Sequence, residues 1–216
     1  MKNSFYFVKS LEEDFHTKTL KNKKKVDFQS IQDMINKKMI HPNTKSFGRK
    51  SRLSTTILGP HYLKTYRSQG IIFQTNIAPS YILPFDLVVL SDVNKIIVHY
   101  YRIKDNLHFY YNHELIPGFE KFIFKDFAKL LTHFPSHKHV WKEVNDFREK
   151  AGYKKLPLSK HRLIEYNEAV FESPVPITPL AIFGYSKKAR ILAKQYKLTH
   201  FRTARDFYKK VVLKAH

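Results

Sequence analysis

The stretch KIIVHYYRIKDNLHFYYNHELIPGFEKFIFKDFAKLLTHF, residues 95–134, decides the fold class, because its hydrophobic period changes part-way along. Lys95 to Ile103 and Leu107 to Tyr111 are rich in Ile, Val, Tyr and Phe. Lys104-Asp105-Asn106 between them carries turn chemistry, so the first half predicts a β-hairpin. After Pro117-Gly118, the residues Phe119, Phe122, Ile123, Phe127, Leu130, Leu131 and Phe134 recur at helical spacing and predict one amphipathic helix with a core-facing stripe. A hairpin and a helix that share a core imply an α+β chain, with a small, mainly antiparallel sheet packed with helices.

Working outward, Ile71 to Thr75 and Phe85 to Leu90 read as further strands. Val140, Trp141, Val144, Phe147 and Ala151 predict a second helix ending near Gly152, and Ser159 is positioned to cap a third helix reaching Phe171. Ser173 to Pro179 is proline-rich and reads as a connector. Beyond it, Ser186 caps a helix bearing Ala189, Leu192, Ala193 and Tyr196, and Thr199 caps another bearing Ala204, Phe207, Tyr208 and Val211. On the other side, Val26, Ile31, Met34, Ile35 and Met39 predict a short helix stopped by His41-Pro42, within an otherwise arm-like start. The expected organisation is a basic N-terminal arm over 1–70, a central α+β domain over 71–176 and a basic C-terminal helical hairpin over 177–216.

Charge is the second organising feature. The chain has 216 residues, 39 Lys and Arg against 18 Asp and Glu, and a net charge of +21, more than solubility alone requires. Residues 34–85 hold eight Lys or Arg and no acid, and residues 177–216 hold ten and one, whereas 86–176 hold fourteen and twelve. A long segment without carboxylates suits a polyanion, since each carboxylate would repel a phosphate. The residues expected to contact RNA phosphates are Lys45, Arg49, Lys50, Arg52, Lys64 and Arg67 along an extended path, and Lys187, Lys188, Arg190, Arg202 and Arg205 from helices.

Enzyme chemistry finds little support in the residues. The absence of cysteine excludes disulfides and thiolate chemistry, and six glycines without a phosphate loop or a Gly-x-Gly-x-x-Gly motif leave no nucleotide cradle. His133, His137, His139 and His161 are the cluster nearest to metal-ligand spacing, but without cysteine or a His-Glu-x-x-His motif they read as polar interhelical residues. Acid pairs such as Asp86 with Asp92, or Glu143 with Asp146, read as surface partners of lysines. No catalytic residue, metal or cofactor is therefore expected. The most apolar stretch, Ile82 to Leu90, is broken by Pro84 and Asp86 and falls short of the roughly 18 apolar residues of a membrane span. Glu12, Glu13 and Asp14 come too early for an organelle transit peptide, so any organelle address is expected to be uncleaved or already removed.

The aromatic hairpin, with His99, Tyr100, Tyr101, Phe109, Tyr110 and Tyr111, could stack bases or pair across strands beneath a helix. A neutral α+β middle flanked by basic, acid-poor segments, with abundant Lys, Tyr, Phe and Ile, resembles the lineage-specific proteins of mitochondrial ribosomes, particularly of the fungal type. The likeness lies in layout and composition rather than in any motif, so it assigns no residue. It implies a structural constituent of a mitochondrial ribosome, located in the matrix, with rRNA and neighbouring ribosomal proteins as partners and no small-molecule substrate. Two other classes stand beside it. The tail has the outline of a DNA-binding helix-turn-helix, with cytoplasmic or nuclear location, and the scattered acids and histidines could serve a nuclease or RNA-processing factor.

Overall fold

The computed structural model describes residues 5–12, 15–21, 25–42, 44–45, 51–86, 89, 98–103, 106–111, 114–115 and 118–214. In chain order the strands are β1 (Phe7–Ser10), β2 (His16–Lys21), β3 (Lys25–Ser30), β4 (Met39–Ile40), β5 (Thr44–Lys45), β6 (Ser51–Ile57), β7 (Gly70–Gln74), β8 (Tyr81–Leu83), β9 (Val98–Ile103), β10 (Asn106–Tyr111), β11 (Glu114–Leu115), β12 (Glu168–Phe171), β13 (Val175–Pro176), β14 (Thr178–Phe183) and β15 (Thr199–Phe201). The α-helices are α1 (Ile31–Lys37), α2 (Phe127–His133), α3 (His137–Lys150), α4 (Lys187–Gln195) and α5 (Ala204–Phe207).

The class is α+β, and the main sheet is mostly antiparallel. Its order is β15-β14-β7-β1-β6-β12-β8, with β5 added beside β6. Among the described residues, only the β14 and β15 pair is parallel, and α4 makes the crossover that such a pair requires. Both faces of this sheet are covered. Ile71 and Phe73 of β7 enter one core with Phe7, Ile57 and Ile182, while Ile72 between them enters another with Val8, Ala181 and Phe183. A strand buried on both faces loses the polar alternation of a half-exposed strand, which is why Ile71-Ile72-Phe73 reads as a continuous apolar run.

The helices close these cores. α1 contributes Ile31 and Met34, α2 Phe127 and Leu130, and α4 Ala189, Leu192 and Ala193 to the first core. α5 contributes Ala204 and Phe207 to the second, and α3 packs Val140, Val144 and Phe147 with Tyr81, Leu83 and Val170 into a third. Side-chain caps fix where the helices begin. Ser30 and Asp33 form a capping box on α1, Ser186 accepts from the Ala189 N–H on α4, and Thr203 and Asp206 form a capping box on α5.

Several sequence expectations are corrected. Of the basic arm expected over 1–70, the described strands β1 and β6 are inner strands of the main sheet, with Phe7, Val8, Leu53 and Ile57 fully buried, and β2 and β3 form a separate pair. Four-residue β1 is too short to show a period, and in β6 the alternation of Leu53 and Ile57 with polar residues is hidden by Arg52 and the threonines. The single helix over 119–134 is two pieces, a 3-10 turn at Phe119–Phe122 and then α2. Between them Phe124 exchanges backbone hydrogen bonds with Ile82 at 2.7 and 2.9 Å, and Asp126 caps α2. The break sends Phe119 and Phe122 into one core and Phe127 and Leu130 into another, which one straight stripe could not reach.

The third helix, expected over 159–171, is a 3-10 segment at Leu158–Ile164 followed by β12. Asn167 makes the difference. It is wholly buried, and its amide accepts from the Ile57 N–H and donates to the Ile57 carbonyl, extending the β6 edge by a side chain. The strand expected over 85–90 is replaced by β8, with residues 87–88 and 90 outside the described set. The proline-rich connector is structural, because β13 pairs with β4 and β14 starts at Thr178. Proline is compatible with such an edge. The C-terminal helical hairpin is corrected too. Thr199 to Phe201 form β15 against β14, so the two helices are separated by a strand, and Thr203 rather than Thr199 is the cap.

Candidate nucleic-acid interface

The loop from Gly59 to Gln69 joins β6 to β7, and Tyr62 anchors it. That side chain is buried, its hydroxyl donates to the Pro84 carbonyl at 3.3 Å, and its backbone exchanges hydrogen bonds with Gly59. With its base fixed, the loop projects Lys64, Tyr66 and Arg67 outward. Tyr66 is 58% exposed, the Arg67 guanidinium lies over its ring at 4.7 Å, and its edge meets Tyr166 at 6.1 Å between centroids. Lys64 pairs with Glu165 at 2.5 Å and Arg67 with Glu12 at 2.9 Å. The Arg67–Glu12 pair is exposed on both sides and worth about 0–1 kcal/mol, so a phosphate can replace that carboxylate at little cost, whereas the Glu165 side chain is only 17% exposed and competes harder for Lys64.

The C-terminal unit supplies the opposite wall. Leu63 to Ser68 face Phe183, Tyr185, Thr203, Ala204 and Arg205 across a cleft of about 360 Å³. Tyr185, 67% exposed, also borders a second cleft of about 730 Å³ with Arg190, His200, Arg202, Asp206 and Lys210. Asp206 is the only acid of the tail, and its carboxylate is engaged by the Thr203 N–H at 3.0 Å in the α5 cap. The His200 ring is held to the Gly184 carbonyl at 2.9 Å. The result is one surface on which Lys64, Arg67, Arg190, Arg202, Arg205 and Lys210 surround two exposed tyrosines.

Of the residues expected from the sequence, the fold brings together Lys64, Arg67, Arg190, Arg202 and Arg205. Lys187 and Lys188 lie exposed in the first turn of α4, next to the Ser186 cap, and line neither cleft. Lys45 is in β5 opposite Ser51, while Arg49 and Lys50 lie outside the described residues. Arg52 is separate from the clefts and lines a third cavity, of about 290 Å³, together with Lys9, Tyr66, Asp86, Tyr166 and Glu168. Tyr66 and Tyr185 are not singled out by the sequence reading, whereas Lys210 belongs with Arg202, Arg205 and Lys209 to the cations that it sets on the last helix. The available signal was Tyr66-Arg67 inside the acid-free segment.

The third cavity is different in character. β1 pairs with β6 through Val8 and Thr56, and one residue further the Lys9 ammonium donates to the Ser54 carbonyl at 3.1 Å. Burial pulls the Lys9 ammonium down to about 8, partly offset by Glu168. The Tyr166 hydroxyl donates to Asp86 at 2.6 Å, and burial with that carboxylate holds its proton well above the ordinary tyrosine range.

The histidines serve packing. His133 lies edge-on to Phe134, His137 against Tyr62 and His161 against Trp141, while His139 shares a hydrogen bond with Ser136. Burial lowers the proton affinity of His137. Among the described residues no group of three or more His, Asp or Glu side chains could hold a metal ion. Glu143 pairs with Lys121 and Asp146 with Lys142, and Asp92 lies outside the described residues. In the aromatic hairpin Tyr100 stands opposite Phe109 and Tyr101 opposite His108, with the side chains outside the described set. No described helix is long and apolar enough to cross a membrane. Comparison with protein-family models, curated protein sequences and solved structures finds no match.

Proposed function

We propose that this chain binds RNA through the surface between Tyr66 and Tyr185, as a structural component of a ribosome, and catalyses no reaction of its own. The observation that carries this is the convergence of two distant chain segments, 63–68 and 183–210, into one surface with six cations and two exposed aromatic rings. Cations track a phosphate backbone and tyrosine faces stack bases without regard to sequence, which is the chemistry of single-stranded RNA binding. The mitochondrial ribosome is the particle that the composition resembles, and rRNA is the corresponding ligand. Neighbouring ribosomal proteins would contact the rest of the surface.

Two measurements test this. Binding of a single-stranded RNA should weaken with salt with a slope of about −0.7 per phosphate contact, hence about −4 for six contacts. That is roughly a 300-fold loss of affinity between 50 and 200 mM salt. A slope near zero refutes the RNA reading. On gradients of organelle and cytosolic lysates the tagged chain should travel with a ribosomal subunit and leave it after RNase treatment. Residence at the top of the gradient in both lysates refutes the ribosomal assignment.

A further inference from the structure

The second cleft, of about 730 Å³, lies where the two parallel strands end. Gly184 and Tyr185 follow β14, Arg202 follows β15, and all three line it. The helices that leave these strands take opposite faces of the sheet. α4 packs Ala189, Leu192 and Ala193 into the core of Ile71 and Phe73, whereas α5 packs Ala204 and Phe207 into the core of Ile72. Adjacent parallel strands whose connections diverge in this way leave a crevice at their carboxyl ends, the usual ligand position of α/β sheets. Topology therefore makes the crevice, and the residues around it make it cationic. Arg190 comes from α4, Arg202 from the end of β15 and Lys210 from the helical turn after α5, and all three are exposed. No described acid forms an ion pair with them, in contrast to Lys64 and Arg67.

We propose that this crevice receives the terminal phosphate of an RNA strand, so that the protein holds an RNA end. Asp206 is the one carboxylate among the lining residues, and it accepts the Thr203 N–H at 3.0 Å. Three cations against one carboxylate leave two positive charges. A phosphate inside a strand carries one negative charge on two free oxygens, whereas a terminal monoester carries about −1.5 to −2 at pH 7 on three. Two guanidinium forks and an ammonium suit the monoester in both charge and number of acceptors. Tyr185, 67% exposed, lines this cleft and the first one. The terminal base stacks on its ring while the following phosphates run to Arg205, Arg67 and Lys64. A 5′-phosphate and a 3′-phosphate share this chemistry. The assignment rests on the RNA reading above and adds to it which part of the strand is held.

The test displaces an internally labelled U12 from the full chain with unlabelled U12 carrying a 5′-phosphate, a 3′-phosphate or neither, read by anisotropy. One phosphorylated competitor should act at a concentration at least about 10-fold below that of plain U12, through added charge-assisted hydrogen bonds, and its identity names the end. Arg190→Gln with Arg202→Gln should bring the three competitors within about two-fold of one another. Lys64→Gln with Arg67→Gln, in the first cleft, should weaken all three alike and keep their ratio. Thermal melting checks the fold, and Lys210→Gln, also exposed, replaces the arginine pair if that variant melts early. Saturation-transfer NMR of the uridine 5′- and 3′-monophosphates against uridine reads the crevice without the strand. Tight U12 binding with equal displacement by all three overturns the end assignment and leaves the RNA reading standing. A phosphate preference that survives loss of Arg190 and Arg202 overturns the placement in this crevice. Monophosphate binding that depends on these arginines, without oligomer binding, supports the crevice and overturns the RNA reading. Absence of both overturns both.

Discussion

The triple substitution Arg190→Ala, Arg202→Ala, Arg205→Ala separates a phosphate-binding surface from a merely basic one. All three side chains are exposed and line the two clefts around Tyr185. Their loss should change folding stability by no more than about 0.5 kcal/mol each. For a single strand each phosphate contact contributes about 0.7 to the slope of log affinity against log salt. Counted from 1 M salt, where the electrostatic contribution is spent, one contact is worth about five-fold at 0.1 M. Three contacts give about 100-fold, and the slope should fall from about −4 to about −2. The assay is anisotropy of labelled U12 titrated with full-length protein from 50 to 400 mM KCl. The control is Lys138→Ala, Lys150→Ala, Lys154→Ala, three exposed lysines that line neither cleft. Equal losses in the two triple variants, or an unchanged slope in the arginine variant, would refute the reasoning, because net charge rather than placement would then set the affinity.

Other substitutions test the fold beneath that surface. A Cβ at Gly70 would stand 2.2 Å from the Lys9 carbonyl between two inner strands, so Gly70→Ala should destabilise by about 3 kcal/mol or more in thermal unfolding. Asn167→Leu leaves the Ile57 N–H and carbonyl without their buried partner and should cost about 3 kcal/mol by urea denaturation, with a loss under 1 kcal/mol counting against the side-chain extension of β6. Lys9, facing Glu168 and Arg52, is lowered to about 8 from 10.5, so between those values the unfolded chain binds more protons than the folded one and stability rises with pH. Relative to Lys9→Met, the wild-type chain should therefore gain on the order of 3 kcal/mol from pH 7.5 to 10.5, and a difference that stays flat over that range refutes the buried ammonium.

The sequence made some of this legible and hid the rest for physical reasons. Ile71-Ile72-Phe73 and strands β9 and β10 were legible because both are β-rich runs that find pairing partners along most of their length, whereas no described residue of the similar run from Phe85 joins a strand. The Phe119 stripe misled because its spacing is helical throughout, while the break at Phe124 depends on a backbone pairing with Ile82 that no local pattern encodes. Leu163 to Phe171 likewise have helical spacing, and the strand there follows from tertiary pairing with β6 and β8. Thr199 and Thr203 are both acceptable caps by type. The nearby Asp206, three residues after Thr203, is the capping-box signal that distinguishes them. Lys9 was invisible as a buried residue, since a lysine in Val-Lys-Ser looks like a surface position until Ser54 and Glu168 are brought beside it.

Charge was the most legible property, and the fold changes what it means. The acid-free segment 34–85 lacks counterions only along the chain, because Glu165 and Glu12 are delivered to Lys64 and Arg67 from elsewhere. A one-sign segment therefore overstates the free cations at its own positions. The tail differs in that its single acid, Asp206, borders the second cleft but is engaged in the capping box of α5, and Arg190, Arg202 and Arg205 are exposed. Competition with resident carboxylates should make Lys64 and Arg67 the weaker phosphate contacts and Arg190, Arg202 and Arg205 the stronger. For that reason the arginine triple variant is the most sensitive probe of the surface.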